Sequence, residues 1–199
     1  MGIVTADISV TLDGYGAGPN QRLESPFGDL DEERLHSWQF EHSDKNAAEV
    51  AAITEAAAYI MGRNMFGPER GEWDLAWKGW WGEEPPYHAP VFVLTHHDRE
   101  PLSMKGGTTF NFVTDGIASA LDHARAAAGS GNVAIAGGAT TINQYLAAGL
   151  IDELRLHLVP ITAGVSGGSR IFDGVPSIEL GVVSARHTPH VTHLTYRRV

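Results

Sequence analysis

The sequence predicts an α/β protein with a mostly parallel central β-sheet, an antiparallel C-terminal edge and helices on both faces. β-branched and apolar runs alternate with Ala-rich helical segments as far as residue 149, and strands that alternate with helices form parallel sheets. From residue 153 onward, apolar and polar residues alternate as in antiparallel strands with one solvated face. No repeat or linker interrupts this pattern, so we expect one domain over residues 1–199.

Composition narrows the classes of function. Of the 199 residues, 43% are hydrophobic and none is Cys, and the formal net charge is −10. Nucleic-acid binding needs Lys and Arg to neutralise phosphates, so no nucleic-acid partner is expected. The absence of Cys excludes disulfides, thiolate nucleophiles and Cys-based metal sites. Without a basic signal-peptide start or a long apolar run, we expect a cytoplasmic protein with no membrane partner.

The N-terminal part begins with a strand over residues 3–10, which ends near the turn pair Asp13-Gly14. The Gly/Pro-rich loop that follows exceeds roughly 12–15 residues, a length that is uncommon in compact domains, and such long loops often cover ligands. Ser43-Asp44 can cap a helix that reaches about Ala57. A short buried strand then occupies residues 58–61.

A second long loop, residues 71–87, contains four of the five Trp residues. These rings either stack on a base or substrate ring, or pack the loop onto the domain or into a dimer interface. We expect the two long loops, residues 14–30 and 67–90, to frame a substrate pocket.

The remaining elements follow in regular order. Strands are expected at residues 90–95, 109–114 and 132–136, a helix from Ile117 to Ala128 behind a Thr114-Asp115 cap, a short helix ending at Gly149, and then strands at 153–161, 178–185 and 191–199.

Two glycine turns suggest a site for phosphate groups. Gly62 ends a buried strand and Arg63-Asn64-Met65 start a helical turn, which places backbone N–H groups and a guanidinium together. Gly137-Gly138 end a second strand, and Ala139-Thr140-Thr141 open a helix. Ligands of open α/β sheets bind at the carboxyl ends of strands, so these two turns together fit one dinucleotide diphosphate.

Three other motifs offer alternatives. The glycines between Gly14 and Gly18 do not match a dinucleotide fingerprint, because Pro19 and Asn20 follow instead of an apolar helix. The Gly164-to-Gly168 segment matches a nucleophile elbow around Ser166, but the helix that must follow such an elbow is missing.

The third alternative is a metal site at His187, His190 and His193. Pro189 forbids a helix there, and strand spacing puts successive His on alternating faces, so we expect exposed turn and strand histidines and no metal.

Segments along nearly the whole chain resemble one known family. SVTLDGYGAG, YIMGRNMFG, FVLTHH, FVTDG, VAIAGGATTINQYLAAGLIDELRLHLVPITAG and SRIFDG occur in this order. They look like the dihydrofolate-reductase-like family of riboflavin-biosynthesis reductases, the C-terminal domain of the bacterial bifunctional deaminase-reductase. The resemblance implies a three-layer dihydrofolate-reductase-like fold, NADPH as hydride donor and commonly a homodimer. It implies reduction of a C=N or C=O group in a pterin-like or ribosylaminopyrimidine-like small molecule.

The resemblance also implies roles for individual residues. Those expected to contact the cofactor are Gly14, Gly62, Arg63, Asn64, Met65, Thr95, His96, His97, Gly137, Gly138, Ala139, Thr140 and Thr141. Those expected near the substrate are Leu158, Val159 and Pro160. Asp13, which opens the first long loop, is the candidate catalytic polar group, with a plain Asp-Gly turn as the alternative. His96, His97, Arg63 and Arg99 are the positive groups expected to select the 2′-phosphate of NADPH.

Two questions stay open at the level of sequence. A protonating carboxylate on a helix is not evident; Glu49 and Glu55 are candidates, and a helix-surface charge is the simpler interpretation of each. A nucleotide-binding module without turnover would show the same glycine turns as a reductase.

Overall fold

The computed structural model describes residues 2–199 and contains eleven strands and five α-helices within that range. The strands are β1 (Val4–Thr11), β2 (Tyr15–Ala17), β3 (Ala58–Gly62), β4 (Pro90–Leu94), β5 (Leu102–Ser103), β6 (Thr109–Val113), β7 (Val133–Gly137), β8 (Glu153–Val159), β9 (Ser169–Arg170), β10 (Leu180–Thr188) and β11 (Val191–Arg198). The helices are α1 (Glu32–Phe40), α2 (Ala47–Ile53), α3 (Arg63–Phe66), α4 (Ile117–Ala128) and α5 (Ala139–Ala147).

Nine strands form one sheet in the order β10-β11-β8-β1-β7-β3-β4-β6-β5. The six strands from β8 to β6 are parallel to one another. β5 pairs antiparallel with β6, and the β10–β11 hairpin adds an antiparallel edge beside β8. The predicted fold class is therefore confirmed.

The side chains of β1 alternate between the two faces of the sheet, and different elements cover these faces. Val4, Ala6 and Val10 share one core with α4 and α5. On the opposite face, α1 and α2 pack over β1 and β8, while the Trp-rich loop covers β3, β4 and β6. Helices thus cover both faces, and a loop completes one of the layers.

The polar side of β8 was expected to face solvent, and this expectation is wrong. His157 is buried, and Trp38 of α1 packs against it with 4.5 Å between the ring centroids. Likewise His193 on β11 is 5% exposed instead of lying at the surface. The cause is α1, which the sequence pattern does not reveal because its only buried residues are Leu35 and Trp38.

The predicted helix from Ser43 to Ala57 is also wrong in extent. Ser43–Lys45 forms a 3₁₀ turn, and α2 runs only from Ala47 to Ile53. Between them, the Asn46 side chain bends the chain by donating to the carbonyl oxygens of Trp38 (2.9 Å) and His42 (2.8 Å).

The two helices on the other face differ in how well their ends were predicted. α4 begins after Gly116, with no side-chain cap from Thr114 or Asp115. α5 ends as expected, with Gly149 in the left-handed region at φ 67°.

Candidate functional site

Every residue predicted to bind cofactor or substrate lies at the side of the sheet where the parallel strands have their carboxyl ends. The parallel strands β1, β3, β4, β7 and β8 all end there, because parallel neighbours bring their carboxyl ends to the same side. Asp13 and Gly14 follow β1, Gly62 ends β3 and Arg63 to Met65 open α3, Thr95 to His97 follow β4, Gly137 ends β7 and Gly138 to Thr141 lead into α5, and Leu158 and Val159 end β8 before Pro160.

The two glycine turns touch each other, since β3 and β7 are neighbours. A Cβ on Gly62 would collide with Thr141 Oγ1, and a Cβ on Gly137 would lie 3.2 Å from Met65 Sδ. A Cβ on Gly138, in contrast, would meet no heavy atom of residues 2–199 within 4 Å, its chain neighbours apart. The turns therefore pack tightly against each other and leave open space beside Gly138.

The start of α5 adds hydrogen-bond donors to this open space. Gly138 is its N-cap, so the first amides of the helix have no carbonyl of a preceding turn to bind. Thr141 is buried, whereas Thr140 is exposed, with its Oγ1 3.4 Å from Ser169 Oγ. The peptide bond between Gly137 and Gly138 is cis.

Arg63 offers unpaired donors at the neighbouring turn. Its guanidinium carbon lies 3.8 Å from the centroid of the Trp73 ring. Its Nε and Nη2 atoms are buried without a hydrogen-bond partner among residues 2–199. Burial lowers the pKa of Arg63, and nearby Arg70 lowers it further, but an arginine stays charged at neutral pH. A half-buried guanidinium with N–H groups that have no partner among residues 2–199 suits an anionic ligand.

Trp73 is the part of this arrangement that sequence reasoning missed. Its Nε1 donates to the carbonyl oxygen of His97 at 2.8 Å, which ties the Trp-rich loop to the end of β4. At the same strand end, Thr95 Oγ1 accepts from the His97 amide at 3.1 Å. His97 Nδ1 lies 3.2 Å from Glu72 Oε1, whereas His96 is exposed.

Arg99 is buried and hydrogen-bonded to the Trp-rich loop, although its guanidinium, like that of Arg63, lies near the Trp73 ring (5.5 Å from its centroid) and its Nη1 has no partner among residues 2–199. It is 9% exposed, and its Nη2 donates to the carbonyl oxygens of Trp77 (2.7 Å) and Leu75 (3.3 Å). Its guanidinium also lies 5.1 Å from the Phe112 ring. Arg99 therefore fastens the Trp-rich loop to the sheet.

Replacing Arg99 by Ala should destabilise the fold by about 2–4 kcal/mol, because hydrogen bonds from a charged group and the packing of its stem are lost together. Urea denaturation measures this change. Lys78→Ala, an exposed change on the same loop, is the control and should stay within about 0.5 kcal/mol. Equal effects of the two changes would show that Arg99 does not fasten the loop.

The other Trp rings support the packing interpretation of the loop. Trp77 Nε1 donates to the Phe66 carbonyl oxygen at 2.8 Å, and Trp81 stacks on Phe110 with 5.7 Å between centroids. These contacts lie over the face of the sheet. Trp73, in contrast, lies at the candidate site, where it contacts Arg63 and His97.

The first long loop crosses in front of the glycine turns. It leaves β1 and reaches Asn64 beyond β3, where Asn64 Nδ2 donates to Gln21 Oε1 at 2.9 Å. Because β7 lies between β1 and β3, this loop passes the end of β7. β2 at its start pairs with β9, which anchors it to the later part of the chain.

Asp13 is held by hydrogen bonds within this corner. Its Oδ1 accepts from Thr11 Oγ1 (2.6 Å) and from the Ala163 amide (2.9 Å), and its carbonyl accepts from Arg170 Nε (3.0 Å). The Thr11 hydrogen bond in particular holds the pKa of Asp13 below its usual range. Asp13 is thus an ionised carboxylate at neutral pH, suited to hold the loop or accept a hydrogen bond.

Two helix carboxylates are described by their surroundings: Glu49, which was named from the sequence, and Glu32, which was not. Glu49 forms an ion pair with Arg186, with Oε2 2.6 Å from Nη2. Glu32, in the first turn of α1, has its Oε2 buried without a partner among residues 2–199. Glu32 was not identified from the sequence, because the sequence did not predict helix α1.

The nucleophile elbow at Ser166 and the metal site at the three histidines both lack the structural context that they require. Ser166 is exposed and is followed by the two-residue strand β9, where a nucleophile elbow requires a helix. His187 is exposed, His190 stacks on His42 and His193 is buried against His157, so the three rings do not converge.

Comparison with known proteins places the chain in a family. The RibD C-terminal domain matches residues 3–194. A search of curated proteins gives no match. Residues 2–199 contain no helix with the length and hydropathy needed to cross a membrane.

Solved structures share the fold at low sequence identity. A protein from Shewanella sp. PV-4 named for riboflavin biosynthesis is 24% identical with a TM-score of 0.69, and 99% of each chain is covered. A pyrimidine reductase-like protein from Corynebacterium diphtheriae is 13% identical with a TM-score of 0.59, covering all of this chain and 92% of that one. The diaminohydroxyphosphoribosylaminopyrimidine deaminase/5-amino-6-(5-phosphoribosylamino)uracil reductase of Thermotoga maritima is 14% identical with a TM-score of 0.59. The chain spans 57% of that bifunctional protein.

Proposed function

The chain belongs to the RibD C-terminal domain family, and from this membership we propose that it is an NADPH-dependent reductase made of one domain over residues 1–199. Its substrate is a pterin-like or ribosylaminopyrimidine-like small molecule with a reducible C=N or C=O group. A riboflavin-pathway reductase related to 5-amino-6-(5-phosphoribosylamino)uracil reductases is the family's expected activity.

The observation that carries the proposal is the contact between the turns Gly62–Met65 and Gly137–Thr141. Each turn alone is a common structure, but together they place the α5 amides and the open side of Gly138 next to the turn that carries Arg63, whose Nε and Nη2 have no hydrogen-bond partner among residues 2–199. A dinucleotide has a diphosphate and, in NADPH, a further phosphate, so it needs several anion-binding groups in one place.

The residues present fit this cofactor. Backbone amides at the start of α5 would hold the diphosphate, and Arg63 with His96 would meet the 2′-phosphate. NADPH supplies the hydride when bound. The protein aligns the substrate, excludes water with the 14–30 loop and delivers one proton. Asp13, ionised and hydrogen-bonded to Thr11 and to the Ala163 amide, would hold the start of that loop near the substrate, for which Leu158 to Pro160 at the end of β8 are the proposed contacts.

Oxidation of NADPH, followed by nicotinamide absorbance, tests the function. Pterins, ribosylaminopyrimidines and small carbonyl compounds form the panel of substrates. Turnover of a ribosylaminopyrimidine supports the proposal. Tight binding of NADPH with no oxidation by any compound would identify a nucleotide-binding module instead, and the absence of any NADPH binding would contradict both.

We also propose a cytoplasmic homodimer. β10 is the outermost strand of the sheet, and its Val182 and Val183 are 71% and 49% exposed. An exposed apolar edge strand is open to pairing with another copy.

Light scattering at micromolar concentration should therefore give twice the 21.4 kDa mass of the chain. Val182→Lys should shift the mass towards a monomer, because a charge on an edge strand opposes pairing. A monomeric wild-type protein at that concentration would contradict the proposal.

A further inference from the structure

The guanidinium of Arg63 and the ring of Trp73 form a stacked pair beside the end of β3. The guanidinium carbon lies 3.8 Å from the centroid of the ring, a separation typical of van der Waals contact. A cation over an indole face is attracted by the negative charge of the π-system, and among aromatic side chains Trp attracts cations best. Stacking occupies only the face of the guanidinium, so its N–H groups stay available in the plane.

Two N–H groups of Arg63 have no hydrogen-bond partner among residues 2–199, and both lie on one edge of the guanidinium plane. They belong to Nε and Nη2, which are buried. Hydrogens on these two nitrogens point in the same direction, which is the geometry of a bidentate contact to two oxygens of one anion. Buried donors without a partner cost free energy, and an anion bound at this edge would remove that cost.

The Trp73 ring is itself held by three other parts of the chain. Phe66 of α3 and Phe112 of β6 approach it edge-on, with 5.6 and 5.0 Å between ring centroids. Its Nε1 donates to the carbonyl oxygen of His97, after β4, at 2.8 Å. The ring is therefore a fixed platform for Arg63, although it belongs to a loop.

The carboxylates nearest in effect to Arg63 leave its Nε and Nη2 without a bond. Glu69 and Glu72 act on its charge, and both belong to the exposed segment 69–72, which forms no helix or strand. Glu72 lies against His97 instead, with its Oε1 3.2 Å from Nδ1. Because Nε and Nη2 are shielded from solvent, an anion reaches them only if a neighbouring segment moves, and we expect segment 69–72 to be the one that moves.

We propose that Trp73 is a positioning residue for cofactor choice: its ring holds the Arg63 guanidinium so that Nε and Nη2 together bind the 2′-phosphate of NADPH. This inference rests on the proposed reductase function. Trp73 does not touch the phosphate and acts through Arg63. Without the ring, Arg63 adopts other rotamers, including ion pairs with Glu69 or Glu72, so a smaller fraction of molecules holds it ready and the affinity for NADPH falls with that fraction.

Calorimetric titration of NADPH and NADH into Trp73→Leu tests this role. The variant should lose roughly 5- to 30-fold in NADPH affinity, the range expected for a cation–π contact, while NADH affinity changes little. Trp73→Phe keeps a ring under the guanidinium, so it should recover most of the preference and lose only about 3-fold.

Trp77→Leu is the matched control. It removes a ring from the same loop, which also donates to a carbonyl oxygen but packs against Trp80 with 4.8 Å between centroids. This change should lower the thermal unfolding temperature without altering the ratio of NADPH to NADH affinity. A merely structural role of Trp73 would give the same result in Trp73→Leu.

A double variant shows whether Trp73 acts through Arg63. In protein that already carries Arg63→Ala, the change Trp73→Leu should leave the affinity ratio as it is, because the residue that Trp73 positions is gone. A further fall of the ratio in the double variant, or an unchanged ratio in folded Trp73→Leu, overturns the inference and leaves the reductase proposal standing.

The remaining outcomes also decide the matter. If Trp73→Leu does not fold, an unchanged ratio in Trp73→Phe overturns the inference in its place. Equal affinities of the wild type for NADPH and NADH overturn it as well. A wild-type protein that binds neither cofactor overturns both this inference and the proposed function, so the two failures are distinguishable.

Discussion

Replacing Arg63 by Ala should weaken NADPH binding by about 1.5–3 kcal/mol, roughly 10- to 150-fold in Kd, while NADH binding changes much less. The guanidinium lies on Trp73, and its Nε and Nη2 find no hydrogen-bond partner within residues 2–199, so it has unused capacity for an anion. NADH lacks the 2′-phosphate that would use it. Calorimetric titration of both cofactors into wild type and variant measures the difference.

Two variants serve as controls for Arg63→Ala. Arg63→Lys keeps the charge but loses the planar fork, and should recover only part of the NADPH preference. Arg198→Ala removes one positive charge at the opposite edge of the sheet, where β11 runs beside the start of β8, and should leave both affinities unchanged. Equal losses of NADPH and NADH in Arg63→Ala would remove Arg63 from the 2′-phosphate site.

Replacing Gly138 by Ala should weaken NADPH and NADH to the same extent, by about 1–3 kcal/mol. Within the described part of the chain, the added Cβ meets no atom within 4 Å other than those of its chain neighbours, so the change costs no internal packing. It projects into the space where both cofactors are proposed to place their shared diphosphate. Binding should fall while the thermal unfolding temperature stays close to that of the wild type.

Gly62→Ala and Gly181→Ala serve as comparisons for the effect of Gly138→Ala on cofactor binding. Gly62→Ala forces the new Cβ onto Thr141 Oγ1 and should reduce both binding and stability, because it separates the two turns. Gly181→Ala on β10 lies far along the sheet order from β7 and should not affect binding. Unchanged cofactor affinity in Gly138→Ala would exclude the open side of this turn as the diphosphate site.

The fold class and the edge that holds the candidate site could be predicted because their signals are local. Gly62 and Gly137 each follow a short apolar run, and the parallel arrangement of their strands brings the turns to one edge without further information. What the sequence did not reveal is that the turns touch, since that depends on the order of strands β7 and β3 in the sheet.

The α1 side of the molecule was not predictable in the same way. His157 and Arg155 alternate with leucines, a pattern typical of a solvated strand face, yet Trp38 covers His157. That contact depends on a helix whose own sequence is mostly polar and on hydrogen bonds between distant positions such as Asn46 and His193. The hydrogen bonds of Arg99 could not be predicted either, because its partners are carbonyl oxygens of a loop with no regular pattern.

A ¹H–¹⁵N correlation titration with NADPH tests the proposed cofactor site, because it reports each backbone amide of that site. We expect saturable shifts concentrated at residues 62–65, 95–97 and 137–141, with little change along β10 and β11. No saturable shifts, or shifts centred on residues 164–168, would contradict the assignment of the touching glycine turns as the cofactor site.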